Sequence, residues 1–285
     1  MDEKQAQLEW EARAGRLAGF AAWFAALMII ATFADRILGL PTGAKNLNEF
    51  LPEVAAHKNA FVVSGVLTGL AMLAFIPPLY YLFRVTSYRR PELPPVVRYL
   101  VIGGPILFAI CAVWFQYRQG HAADQFVAGA VKTKKHAEDV LRNTTTVVTG
   151  LSLAASIATG LATLMTSLNA MRAGILSRFM GVMGIILGAL FVLPLIASPV
   201  IQLFWLIALG LLFMGNWPGG RGPAWETGEQ VPWPTAQDRL GAPDGEDGED
   251  GEAAAAELEP APAGDPTRQP NPRASRKRKK KKSRR

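Results

Sequence analysis

Five long runs of this chain carry no charged residue, and they alternate with short segments dense in charge. A helix needs about 20 apolar residues to cross a hydrocarbon core of about 30 Å. Four of the runs fit one crossing each, at residues 17–34, 60–83, 99–117 and 144–168. The fifth, Phe179 to Gly220, would make a rod of roughly 60 Å, about twice the core. Pro194 and Pro199 bracket a four-residue stretch in its middle. A proline removes a backbone donor and clashes with the preceding turn, so the pattern predicts a break there and two spans, 179–195 and 200–217. Six spans result; five spans with a re-entrant hairpin is the alternative.

Backbone amides in lipid need internal partners, which leaves helices or closed barrels. Barrel strands alternate apolar and polar positions over about ten residues, and the run from Phe24 to Ile30 does not. The expected fold is therefore all-α: a polytopic transmembrane helical bundle over residues 1–217. Tyr80, Tyr81, Tyr99, Trp114, Tyr117 and Trp217 stand near span ends, where aromatic rings anchor at the interface.

Two polar segments qualify this outline. Between Arg118 and Arg142, Phe126, Ala130, Val131, Ala137, Val140 and Leu141 recur near helical spacing, with charges between them. This predicts an amphipathic loop helix on the membrane face or capping the bundle. From Pro218 onward the chain turns rich in proline and glycine, passes through an acidic run at 244–252 and ends in a polybasic block. With so few large apolar residues, residues 218–285 are expected to form a disordered cytoplasmic tail. Trp225 and Trp233 are expected at headgroup level.

Charge placement bears on partners. The net charge of +7 comes mostly from the last ten residues, nine of which are Lys or Arg. Arg276, Lys277, Arg278, Lys279, Lys280, Lys281, Lys282, Arg284 and Arg285 are candidate contacts for anionic lipid headgroups. Nucleic acid and the tail's own acidic run are weaker alternatives for the same block. The loop 84–98 holds four arginines against one acid, and 171–178 holds two arginines and no acid, which places both termini in the cytoplasm. The five basic residues in 118–142 run against that rule. The N-terminus mixes both charge signs before Leu17, unlike a cleaved leader, so the first hydrophobic run is taken as a retained span. Cys111 is the only cysteine, which rules out a disulfide within the chain.

One span has an unusual face. Thr145, Thr149, Ser152, Ser156, Thr159, Thr163 and Thr166 are spaced alternately by four and three, so on a helix they form a single stripe of hydroxyls. Such a stripe serves as a close-packing seam or as the polar wall of a solute path. Gly65/Gly69 and Gly184/Gly188 are further close-packing pairs. No Asp, Glu, Lys, Arg or His lies inside any span, which argues against ion-coupled transport. His121/Asp124 and His136/Asp139 each offer two metal ligands, but the pairs are about 22 Å apart on a straight helix, too far to share an ion. No metal or other cofactor is expected, and no catalytic motif appears.

The run from Asn169 to Ile185, the run from Asn216 to Gly228 and the opening Arg13-Ala-Gly-Arg-Leu-Ala-Gly resemble uncharacterised multi-pass membrane proteins of actinobacteria. More loosely they are similar to a bacterial domain-of-unknown-function family. The resemblance covers about a fifth of the chain and implies a bacterial plasma-membrane protein, with no activity attached. The expected function is a non-enzymatic structural, sensory or accessory component whose partners are the lipid bilayer and a second copy of itself. A facilitative transporter lined by the hydroxyl stripe is the alternative, and an enzyme acting on lipid headgroups ranks behind both.

Overall fold

The computed structural model describes residues 3–38, 44–193, 199–218 and 220–233. Among them all regular structure is helical. Helix α1 spans Glu3–Leu38, α2 Leu47–Ala56, α3 Lys58–Arg89, α4 Val96–Ala128, α5 Lys134–Arg172, α6 Arg178–Val192, α7 Pro199–Met214 and α8 Ala224–Thr227. Four of these, α1, α3, α4 and α5, are long and apolar enough to cross a membrane. Helices α6 and α7 have 15 and 16 residues, or roughly 22–24 Å each. They end and begin on either side of residues 194–198, where the sequence places the proline break.

The helices close into a ring of neighbours. Helix α1 lies between α7 and α3, α4 between α3 and α5, and α6 joins α5 back to α7. Large apolar side chains face outward: Leu17, Phe20, Phe24, Leu27, Ile30 and Phe33 make an exposed stripe along α1. The opposite face of α1 carries Ala18, Ala22, Ala25 and Ala26, all buried. Bulk outside and small residues inside would be costly in water. In hydrocarbon it lets backbones approach while the large groups meet lipid.

The chain's course gives the ring two ends. One holds the N-terminal part of α1, the α3–α4 and α5–α6 connections and residues 220–233; it is called the arginine end here. The other holds α2, the start of α3 and the α4–α5 connection, and is the α2 end. Helix α5, at 39 residues, is roughly 58 Å long, so α3, α4 and α5 outreach a core of about 30 Å and project at the α2 end.

That projection corrects the expected amphipathic loop helix. The segment from Arg118 to Arg142 is not one element. Helix α4 runs on unbroken to Ala128, the chain turns at 129–133, and α5 begins at Lys134. Lys132 Nζ donates to the Phe126 and Val127 carbonyls at 2.6 Å, closing the end of α4. The Thr133 hydroxyl accepts the His136 N–H at 3.3 Å, starting α5. The periodicity was shared by two antiparallel helix ends: Phe126 and Ala137 meet in a small core with Leu51, Val54, Phe61 and Ala123, while Ala130 and Val131 are exposed in the turn.

A second correction concerns the tail boundary. Residues 220–233 return to the bundle and include α8, with Trp225 only 6% exposed. Trp225 is therefore a core residue and not a headgroup anchor. Arg221 holds this return in place by donating to the Leu212 and Phe213 carbonyls at the end of α7. The acidic run and the basic residues Arg276–Arg285 lie outside the described residues.

Candidate functional site

The hydroxyl stripe of α5 does not face one space. Thr145, Thr159, Thr163 and Thr166 are buried, Ser152 and Ser156 are half-buried, and Thr149 is exposed. Three hydroxyls turn back on their own helix at 2.8 Å: Thr145 to the Leu141 carbonyl, Thr159 to Ala155 and Thr163 to Thr159. This satisfies a hydroxyl without offering it to a solute. Ser156 instead reaches across to the Phe191 carbonyl at the end of α6, at 2.6 Å.

The residues between the hydroxyls explain why they are small. Gly160 of α5 and Gly188 of α6 face each other so closely that a Cβ on either would come within 2.6–2.7 Å of the other's carbonyl oxygen. On the other flank a Cβ on Gly104 of α4 would lie 2.8 Å from the Thr159 backbone nitrogen and hydroxyl. The stripe is thus built into two seams, one towards α4 and one towards α6. Inside the ring, Phe75 packs against both Phe191 and Trp205 with ring centroids 6.1 Å apart. Trp205 is buried and donates to the Met180 carbonyl at 3.2 Å. An open groove of 320 Å³ lies elsewhere, on the outer surface between Gly69 and Leu70 of α3 and Ile106 and Ala109 of α4, and its lining is apolar.

The most tightly built polar cluster is at the arginine end, and it joins four segments of chain. Arg89, in the last turn of α3, donates to Glu11 of α1 through both terminal nitrogens, and the two side chains are 0% and 4% exposed. Its Nε donates to the Ala224 carbonyl at 2.9 Å. The Tyr81 hydroxyl donates to the Glu11 carbonyl at 2.9 Å, and Gln7 donates to the Glu11 carboxylate. Trp225 stacks beside Tyr81 and donates to the Ile175 carbonyl at 3.0 Å, in the α5–α6 connection. Gly174 makes this connection possible. Its φ of +78° suits glycine, and a side chain there would run into the Val231 carbonyl.

Composition and motif reading give no role to Glu11 or Arg89 and place Trp225 at headgroup level, since each sits outside a span among ordinary-looking charged or proline-rich residues. One signal does exist for the first. Glu11 falls on the face that continues through Gly15, Ala18, Ala22 and Ala25, at alternating steps of four and three.

At the α2 end several cations have local partners. Lys58 pairs with Asp124 at 2.7 Å, Arg142 with Asp139 at 3.0 Å, and Arg118 donates to the Thr144 carbonyl at 2.8 Å. The two histidine pairs stay apart: His121 bonds the Tyr117 hydroxyl, and His136 lies against the Phe126 ring. Among the described residues no three His, Cys, Asp or Glu side chains gather in metal-binding range. No protein-family model, curated protein or solved structure matches the chain.

Proposed function

We propose that this chain is a six-span protein of the bacterial plasma membrane whose body is a closed scaffold, with both termini in the cytoplasm and no catalytic role. The observation that carries the scaffold reading is the filled middle of the ring. Trp205, Phe75 and Phe191 fill the space between α3, α6 and α7, and the Ser156, Thr159 and Thr163 hydroxyls are bonded to backbone carbonyls, while the buried Thr166 and Ser167 hydroxyls have no partner among the described residues. The bacterial membrane rests on the sequence resemblance, and the orientation on the arginines of the 84–98 and 171–178 connections.

Labelling with a membrane-impermeant maleimide tests span number and orientation together, in a Cys111→Ala background. A cysteine in place of Leu193, at the end of α6, and one in place of Gly129 label in intact cells. One in place of Glu92 labels only after permeabilisation. Labelling of the Leu193 and Glu92 positions from the same side would replace the last two spans with a re-entrant hairpin.

A facilitative transporter is the second reading, favoured by Ser152 and Thr149, which lie beyond the end of α6 and keep accessible hydroxyls. Solute flux into proteoliposomes that is lost on Ser156→Leu substitution would support it. Flux at the level of empty liposomes supports the scaffold.

A further inference from the structure

We propose that Arg16, Arg98 and Arg178 form headgroup sites for anionic phospholipid around the rim of the arginine end, a proposal that rests on the membrane reading above. The three arginines belong to α1, α4 and α6, and each is exposed. Each is followed directly by a large side chain turned outward: Leu17 and Tyr99 are 73% exposed and Phe179 is 56% exposed. A guanidinium is thus held where an apolar helix surface begins, which is the depth of lipid phosphates.

Their charge is also free. Among the described residues none of the three makes an ion pair, and no acid stands within four positions of any of them in the sequence. At the α2 end, by contrast, Lys58, Lys134 and Arg142 each have a carboxylate partner, although among the described residues Lys45 and Lys135 do not. A guanidinium matches phosphate with paired donors and sheds water more easily than an ammonium does. Three unpaired arginines on three helices therefore select a bilayer lipid with net negative charge over a zwitterionic one. The occupant is a membrane lipid because the adjoining Leu17, Tyr99 and Phe179 side chains would sit against its acyl chains.

The test uses the full chain reconstituted in phosphatidylcholine bilayers with trace spin-labelled phosphatidylglycerol or spin-labelled phosphatidylcholine. The motionally restricted fraction of each label gives the selectivity of the lipid shell. Each arginine at an anionic site is worth about a fivefold local preference. The Arg16→Gln/Arg98→Gln/Arg178→Gln protein is therefore expected to fall several-fold below the parent, and the corresponding Lys variant to lie between the two. The Lys58→Gln/Lys134→Gln/Arg142→Gln protein is expected to retain the parent value. The basic tail is present in every variant, so its own attraction cancels. Unchanged selectivity in the arginine variant, or equal loss in the α2-end variant, overturns the proposal alone. A restricted component absent with both labels overturns the membrane reading as well.

Discussion

Arg89 holds both carboxylate oxygens of Glu11, with Nη1–Oε1 at 2.7 Å and Nη2–Oε2 at 2.9 Å, and donates further from Nε to the Ala224 carbonyl and from Nη1 to the Val85 carbonyl. One side chain thereby ties α1, α3 and the returning segment 220–233 into a single end of the bundle. The pair is almost wholly withdrawn from solvent, so its value depends on both members being present.

Removing one member leaves the other buried and unpaired. Glu11→Ala or Arg89→Ala is expected to cost about 3–5 kcal/mol of stability. The double Glu11→Leu/Arg89→Met protein is expected to lose less than either single variant, since no charge is then stranded. Denaturant titration in detergent checks this. A single variant within about 0.5 kcal/mol of the parent would place the pair among inconsequential surface contacts.

Trp225 fastens the same segment from the other side. Its ring packs on Tyr81 and Phe213 and its indole N–H bonds Ile175. Trp225→Ala should free the segment, with amide exchange across 222–231 rising by orders of magnitude, because a large aromatic in a core is worth about 3–5 kcal/mol. Trp225→Phe keeps most of the packing and loses one hydrogen bond, about 1 kcal/mol, so its exchange should rise only several-fold. Unchanged exchange in the alanine variant would show that the segment is held by Arg221 and Arg89 alone.

These two features mark where sequence reading stopped. The helices were legible because hydrocarbon demands a long charge-free run, and such a run is visible residue by residue. Helices α6 and α7 stop at Val192 and start at Pro199, and the proline break expected between them lies in residues 194–198, outside the described residues. The Glu11–Arg89 pair was not legible, since each charge looks solvated until residues 78 apart in sequence are brought together. Trp225 sits among glycines and prolines that read as tail, and only its partners on α3, α7 and the α5–α6 connection make it core. The stripe on α5 follows from spacing alone, because all its members lie on one continuous helix. Its division into two seams depends on Gly104 and Gly188, which belong to other helices.

The α5–α6 seam leads to a direct steric prediction. At Gly160 and Gly188 the added carbon of an alanine would sit closer to the facing carbonyl than contact allows. Either Gly→Ala change is expected to push the helices apart and cost about 1–3 kcal/mol, read as a lower unfolding midpoint in detergent. Gly150, whose Cβ would meet nothing within 4 Å, is the matched control and should tolerate alanine. Equal tolerance at all three positions would mean that the seam is looser than described.

The N-terminus of α1 meets the returning segment through Lys4 and Glu229, 2.7 Å apart. The Lys4 hydrogen bond and then its charge hold the Glu229 carboxyl below the usual range. A carboxyl lowered in the folded state stabilises that state above its unfolded pKa of about 4.3, and the contribution is lost as pH falls through the lower folded value. Protection of residues 226–231 from amide exchange, corrected for intrinsic rates, should thus be steady above about pH 5 and decline below about pH 4. In Glu229→Gln the carboxyl is absent, so that part of the decline should vanish and protection should stay at the lower level throughout. The effect is small, because both groups are open to solvent and screened. An identical pH profile in the parent and Glu229→Gln would assign the decline to other carboxylates, and the Lys4 contact would then hold nothing in place.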